Sequence, residues 1–391
     1  MTITVEFKLR GKIAQYHAVD EAIKTAQFIR NKAIQYWMDH WGADKYDLSR
    51  LSKNLAAEFS FVSALNSTAR VAACERAWRA ISKFYANCKD RKISKNNKPG
   101  FKHNSRSVEY KTYGWKISVD YRYITFSDKK GIGTLKLIGT IPLNQYPKEK
   151  IKRVRIVKRA GSYYVQFVID IDKTEGAPFT GSMIGLDVGL KSFYTDSNGK
   201  EEPNPKFFKV SEKKIKKLHQ RVSKKKKGSS NRKKAIQKLQ RGYLKTQRQR
   251  KDFVTKLARC VYQSHDLVAI ENLNIKNMVK NHCLAKSISD AGWGLFREKL
   301  THYSKVFGKS LILVNPAYTT QECSKCGNIV KKSLSQRTHQ CSCGCLLDRD
   351  HNSAIVILNR AIQQINLKTT VGHTESNAWG ENDLCSKPVV V

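Results

Sequence analysis

The chain has 391 residues, 40% of them hydrophobic, enough for two or three domains with cores of their own. Its 73 Lys and Arg against 32 Asp and Glu leave a formal charge of +41, and self-repulsion of that size calls for a polyanionic partner, nucleic acid first and membrane headgroups second. No apolar run reaches the roughly 18 residues that span a membrane or resembles a secretory leader, and ten cysteines in such a chain point to metal binding rather than a disulfide framework, so a cytoplasmic protein is expected.

The stretch TITVEFKLR alternates Ile3, Val5, Phe7 and Leu9, the pattern of a half-buried strand. Val19, Ala22, Ala26, Ile29, Ala33 and Tyr36 then recur at helical spacing, and Ala77, Trp78, Ile81 and Tyr85 mark a second helical face. Residues 14–90 therefore read as a helical unit. From KPGFK through IKRVRIVKRAGSYYVQFVIDI the period switches to two with Gly-containing turns, which predicts antiparallel strands. The first strand is expected to join them, making the helical unit an insertion into a β-domain of residues 1–13 and 91–178.

Past the turn-rich KTEGAPFTGS, MIGLDVGLKSFYT is an apolar strand interrupted by Asp187. Residues Lys209–Lys251 hold 19 Lys or Arg and one acid, Glu212, with apolar residues at helical spacing on both sides of KGSSN. Two basic helices joined by a turn follow. Charge runs usually make a solvated face, but this one is too concentrated to stand without a partner; Lys224, Lys225, Lys226, Lys227, Arg232, Lys233 and Lys234 are the expected phosphate contacts. HDLVAIENLNI reads as a buried strand ending at Glu271, and after a helical stretch SLILVNP is a strand leading to the cysteines. From Asn366 no period is sustained, so 366–391 is expected to be a disordered tail.

Cys323 and Cys326 have the CxxC spacing that brings two thiolates to one ion, with Gly327 permitting the tight turn. Cys341 and Cys343 follow, one residue apart. Four thiolates close a tetrahedral structural zinc site with no open position. Cys345 is an alternative to Cys343 as fourth ligand, and His339 a further substitute.

Taken singly, Glu271 is an end-of-strand acid and Asp350 a helix cap. Asp187 is harder to dismiss, because a carboxylate in an apolar strand is costly unless paired or bound to a cation. Together the three match a two-metal nuclease, in which carboxylates from two strands and a helix hold magnesium ions about 4 Å apart. Magnesium is a hard ion that prefers oxygen donors.

In this order, GLDVGLK (185–191), IENLNI (270–275), YTTQECSKCG (318–327) and CGCLLDRDHNSA (343–354) resemble the TnpB family of transposon-encoded RNA-guided DNA endonucleases, relatives of type V CRISPR effectors. NKPGFK (97–102) resembles its element ahead of the β-domain. The resemblance implies an α/β and β multi-domain protein. A β-barrel-like, wedge-type N-terminal domain with the helical recognition insertion would precede an RNase H-like (RuvC) nuclease domain of residues 179–315 and 346–365. A zinc ribbon would occupy 316–345. The resemblance implies Asp187, Glu271 and Asp350 as catalytic carboxylates, Asp350 rather than Asp348 because the family's DxN element falls on Asp350 and Asn352. It also implies a guide RNA, a double-stranded DNA target beside a short motif, and a nucleoid-associated prokaryotic setting; the oligomeric state stays open. The CxC pair leaves the ribbon one residue short, and Ser353 stands where the family has Ala more often. The rivals are an unguided structure-specific nuclease or transposase of the same fold, and a nuclease-inactive RNA-guided DNA-binding protein.

Overall fold

The computed structural model describes residues 2–40, 42–89, 97–171, 178–333 and 336–372. The chain forms two compact units, Met1–Lys173 and Thr174–Val391. The turn-rich boundary and the expected tail fall partly outside the described residues.

In the first unit β1 (Thr2–Arg10) leads into α1 (Ile13–Asp39), α2 (Lys45–Glu58), α3 (Ser60–Ser63) and α4 (Ser67–Lys89). Six strands follow: β2 (Ser107–Tyr110), β3 (Trp115–Ile117), β4 (Tyr123–Phe126), β5 (Gly133–Ile138), β6 (Ile151–Arg159) and β7 (Ser162–Asp170). β1 pairs antiparallel with both β5 and β7, and its Val5, Phe7 and Leu9 are buried as the alternation requires. Ala22, Ala26 and Ala33 of α1 and Ala69, Ala73 and Ala77 of α4 are all buried, and these small side chains let the two helices pack closely. Helix α2 was not evident in the sequence, since it buries only Leu48, Ser52 and Leu55; its start is set by Asp44, whose carboxylate accepts from Tyr46 N at 2.7 Å and Asp47 N at 2.8 Å.

The sheet order is β2-β6-β7-β1-β5-β4-β3. The expected barrel is corrected here: β2 and β3 are the two edges and do not pair. Yet Tyr110 and Trp115, five residues apart, can be separated by at most about 18 Å. Seven flat strands would hold their edges about 29 Å apart. The sheet must therefore curl strongly, stopping short of closure.

The second unit begins with β8 (Met183–Val188), β9 (Ser192–Asp196) and β10 (Glu201–Pro203), then α5 (Phe207–Ser223) and α6 (Ser230–Ser264). Next come β11 (Leu267–Glu271), α7 (Ile275–Met278), α8 (Ala285–Ala291), α9 (Trp293–Phe307) and β12 (Ser310–Val314). β13 (Thr338–Gln340) and β14 (Leu346–Asp348) form a small hairpin before α10 (Arg349–Gly372), which runs into the segment expected to be disordered. Residues 373–391 of that segment lie outside the described residues. The sheet order is β10-β9-β8-β11-β12, with β8, β11 and β12 parallel and β9 antiparallel to β8.

Strand alternation assigns the faces. Ile184, Leu186, Val268 and Ile270 share a core with Val254 and Ala258 of α6 and Phe296 and Leu300 of α9. Leu267 and Ala269 pack instead with Ile357 and Ala361 of α10. Gly185 lies under α10, where a Cβ would run into the Ala354 carbonyl and come within 2.9 Å of Leu358 N. A glycine is needed for that approach.

Candidate active site

The same alternation carries Asp187, two residues after Gly185, and Glu271, two after Ala269, onto the α10 side at the carboxyl ends of β8 and β11. Asp350 lies in the first turn of α10. All three are half-buried. Burial pushes the Asp187 carboxyl well above the usual range, and the charges of Glu271 and then Asp350 push it further, with Arg349 opposing. Glu271 is also raised by burial, against a hydrogen bond from Thr319 and the charge of Arg360. Elements distant in sequence thus bring Glu271 and Asp350 close enough to Asp187 for their charges to oppose its ionisation.

Partners the sequence did not reveal hold these acids. Thr319, itself buried, donates from Oγ1 to Glu271 Oε1 at 2.5 Å. Asp350 accepts from Arg349 Nε at 3.0 Å and from Arg337 at 3.3 Å. Asp348 caps α10: its Oδ1 accepts from the backbone N–H of Asp350 at 2.8 Å and of His351 at 3.3 Å. The capping role considered for Asp350 thus belongs to Asp348, which leaves the Asp350 carboxylate for side-chain partners. Arg360 reaches from α10 to the carbonyls of Asn315 at 2.9 Å and Ala317 at 2.8 Å and to Glu322. Buried Asn352 accepts from Ser324 N at 3.0 Å and donates to the Glu322 carbonyl at 2.7 Å. The helix bearing Asp350 is therefore bolted to the cysteine segment. None of these links has a local sequence signature, although Thr319 sits in the YTTQEC stretch.

The sulfurs of Cys323, Cys326, Cys341 and Cys343 lie within 4.8 Å of one another, with Cys323 and Cys343, and Cys326 and Cys341, each 3.6 Å apart. Gly327 at φ +77° and Gly344 at φ +82° turn the chain just after each pair. Burial would raise the Cys323 thiol, but the amides of Cys326 and Lys325, with His339, bring it down to about 5. The Asn328 amide favours the Cys326 thiolate, yet burial and the neighbouring sulfurs push that thiol up to about 12. Four thiolates ionise together only around a cation, so the donor set fits zinc and the cluster can hold it. Cys323, His339 and Cys345, all buried, form a second group within 4.8 Å. His339 Nδ1 meets the Lys332 ammonium.

The predicted phosphate contacts lie on the α5–α6 hairpin. Lys224, Lys225, Lys226, Lys227, Lys233 and Lys234 are exposed. Arg232 is half-buried and donates to the carbonyls of Val222 at 2.8 Å and Lys225 at 3.2 Å, closing the carboxyl end of α5.

Residues 166–282 match the OrfB_IS605 family, described as "Probable transposase", and residues 293–357 match the Cas12f1-like TNB domain. A Streptomyces pristinaespiralis protein named "Putative RNA-guided DNA endonuclease" is 35% identical over 202 residues, 51% of this chain and 50% of that protein. "Putative RNA-guided DNA endonuclease InsQ" of Escherichia coli K12 is 30% identical over 49% of this chain and 52% of its own length. The "TnpB-like protein L79" of Acanthamoeba polyphaga mimivirus is 30% identical over 50% of this chain and 40% of its own. The chain thus spans about half the length of the curated relatives it matches. In fold it resembles the protein of the Cas12f1–sgRNA–target DNA complex (TM-score 0.55, 16% identity, 89% of this chain and 82% of that one). It also resembles the mini-RNA-guided endonuclease CRISPR-Cas_phi3 (TM-score 0.51, 10% identity, 92% of each chain). The OrfB-type match runs across β8 to β11, the TNB match runs from α9 into α10, and relatives named as TnpB-like or as RNA-guided DNA endonucleases align over about half of the chain, so the likeness to TnpB proteins is concentrated in the second unit.

Proposed function

We propose that the protein is an RNA-guided, magnesium-dependent DNA endonuclease whose second unit is an RuvC-type nuclease domain carrying a zinc ribbon. The observation that carries this reading is the convergence of Glu271 and Asp350 on Asp187: their charges oppose its ionisation, and burial raises both Asp187 and Glu271. A buried set of like charges is costly unless a multivalent cation joins it, and an all-carboxylate donor set suits magnesium. Asp187, Glu271 and Asp350 would hold two ions, which when bound supply water activation and stabilise the leaving oxygen of a phosphodiester. The chain's own residues do the positioning. Thr319 orients Glu271, Asp348 fixes the first turn of α10, and Arg360 and Asn352 hold α10 to the cysteine segment.

Cys323, Cys326, Cys341 and Cys343 would bind one structural zinc. The exposed lysines at the tip of the α5–α6 hairpin would contact phosphates, and the first unit, with its curled sheet and helical insertion, would grip guide RNA and the RNA–DNA duplex. The +41 charge supports a large nucleic-acid partner.

Sequencing the RNA that co-purifies with the protein, then offering plasmids that match or mismatch it, tests the reading. One RNA species and magnesium-dependent cutting of the matched plasmid alone are expected. Cutting that ignores the guide would favour an unguided nuclease.

A further inference from the structure

Strand β11 ends at Glu271, and the next residue, Asn272, is also polar but has a partner on another element. Glu271 belongs to the α10 side. Asn272 meets α9 instead, where its Oδ1 accepts from the Arg297 guanidinium at 3.0 Å. The same guanidinium donates to the Leu273 carbonyl at 3.3 Å, so it is held at a fixed place beside the strand end. There the structure opens into a cavity of about 630 Å³. Its walls include Leu273, Ile275 and Val279, its mouth carries Asn274 and Lys276, and none of its lining side chains is acidic. The oxygen of Asn274 caps α7, accepting from Asn277 N at 3.2 Å, and the side chain is exposed, so its amide N–H groups remain as further donors.

We propose that this cavity is a subsite for a nucleobase of the DNA strand being cut, a nucleotide step or two from the scissile phosphate; the inference rests on the endonuclease reading above. Four features agree on that occupant. The cavity starts at the residue after Glu271, at the carboxyl ends of parallel strands, where open α/β sheets bind ligands. It suits a compact ligand and is far too small for a duplex, so it selects an unpaired nucleotide. Aliphatic walls give an unstacked base the apolar face it loses on leaving its neighbours, and amide groups at the mouth can read its edge. Arg297 and Lys276 match the phosphates on either side. The site would pin the strand beyond the reacting bond and set which phosphodiester reaches the carboxylates.

The test uses the full chain with its co-purified RNA and a matched duplex carrying 2-aminopurine at one position after another along the cut strand, first in chelator. Fluorescence should rise severalfold at one position, where the base has left the stack, and Ile275→Trp or Val279→Phe, which fill the cavity, should abolish that rise. In magnesium, an abasic nucleotide at that position should slow cutting by wild type about tenfold, the scale of one base's stacking on protein. If the abasic scan finds no sensitive position, or both filled variants melt and cut like wild type and keep the fluorescence peak, the subsite is overturned while the endonuclease reading stands. If wild type shows the peak, the variants lose it, and nothing is cut in magnesium, the base site survives and the endonuclease reading falls.

Discussion

Around α10 the polar groups are locked in place, whereas the cations at the tip of the α5–α6 hairpin stand in solvent. Asp348, Asn352 and Arg360 each make hydrogen bonds that fix α10 against the cysteine segment. Lys224 to Lys227 are exposed, and only Arg232 beside them is tied back to the backbone. Under the proposed function, the difference follows from two tasks. A metal-binding carboxylate must be placed to within a fraction of an ångström, so it needs supporting partners. A phosphate contact works through charge density and tolerates a mobile ammonium.

Four experiments can break or sharpen this contrast. The largest effect is expected at the cysteines: replacing Cys323 and Cys326 together with Ser should take zinc from one equivalent per chain to none by metal analysis, because two thiolates cannot hold the site. Full occupancy in that variant would move the ion elsewhere.

Gly185→Ala comes next. Its methyl would collide with backbone atoms of α10, so a loss of about 3 kcal/mol in denaturant unfolding of the second unit is expected, at the upper end of overpacking costs. RNA binding through the hairpin should suffer less than cutting. A neutral result would show that α10 does not press on β8.

On the hairpin, replacing Lys224 to Lys227 with Gln should weaken nucleic-acid binding on the order of tenfold and flatten the plot of log affinity against log salt by up to about 0.9 for each phosphate no longer neutralised. Cutting at saturating protein should hold. An unchanged slope would leave these lysines as a solvated face.

The smallest effect concerns the buried charge. Because the folded-state pKa of Asp187 is raised, the folded protein retains that proton where the unfolded chain has lost it. The stabilisation is full below the ordinary carboxylate pKa and fades as pH rises through the raised one. In chelator, Asp187→Asn should therefore be more stable than wild type at neutral pH, by on the order of 1 kcal/mol. Denaturation across the acid range should show the gap closing as pH falls.

What could be read in the sequence was whatever repeats locally. Asp187 interrupts an apolar strand, Glu271 ends one, and the CxxC pair carries its ligand spacing within four consecutive residues. The basic hairpin was legible because its charges crowd into 43 residues while its apolar residues keep helical period. Long-range partnerships were not legible. Thr319 reaches Glu271, and Arg360 reaches Asn315, only because β11, β12 and α10 come together. Nor does alternation within a strand say where a sheet ends, which is why a barrel was expected where an open, curled sheet is found. Helix α2 buries too few residues to announce its period.

The most direct test of the central claim, that Asp187, Glu271 and Asp350 form one metal-dependent cutting centre, is to measure binding and cutting of one guide-matched target by wild type, Asp187→Ala and Asp350→Ala in parallel. Binding should be nearly equal in all three, since phosphate contacts come from Lys and Arg. Cutting should fall roughly 10³-fold or more in each variant, a loss of about 4 kcal/mol or more in transition-state stabilisation, and wild type in chelator should match them. Near-normal cutting by either variant, or by wild type without divalent metal, would contradict the account.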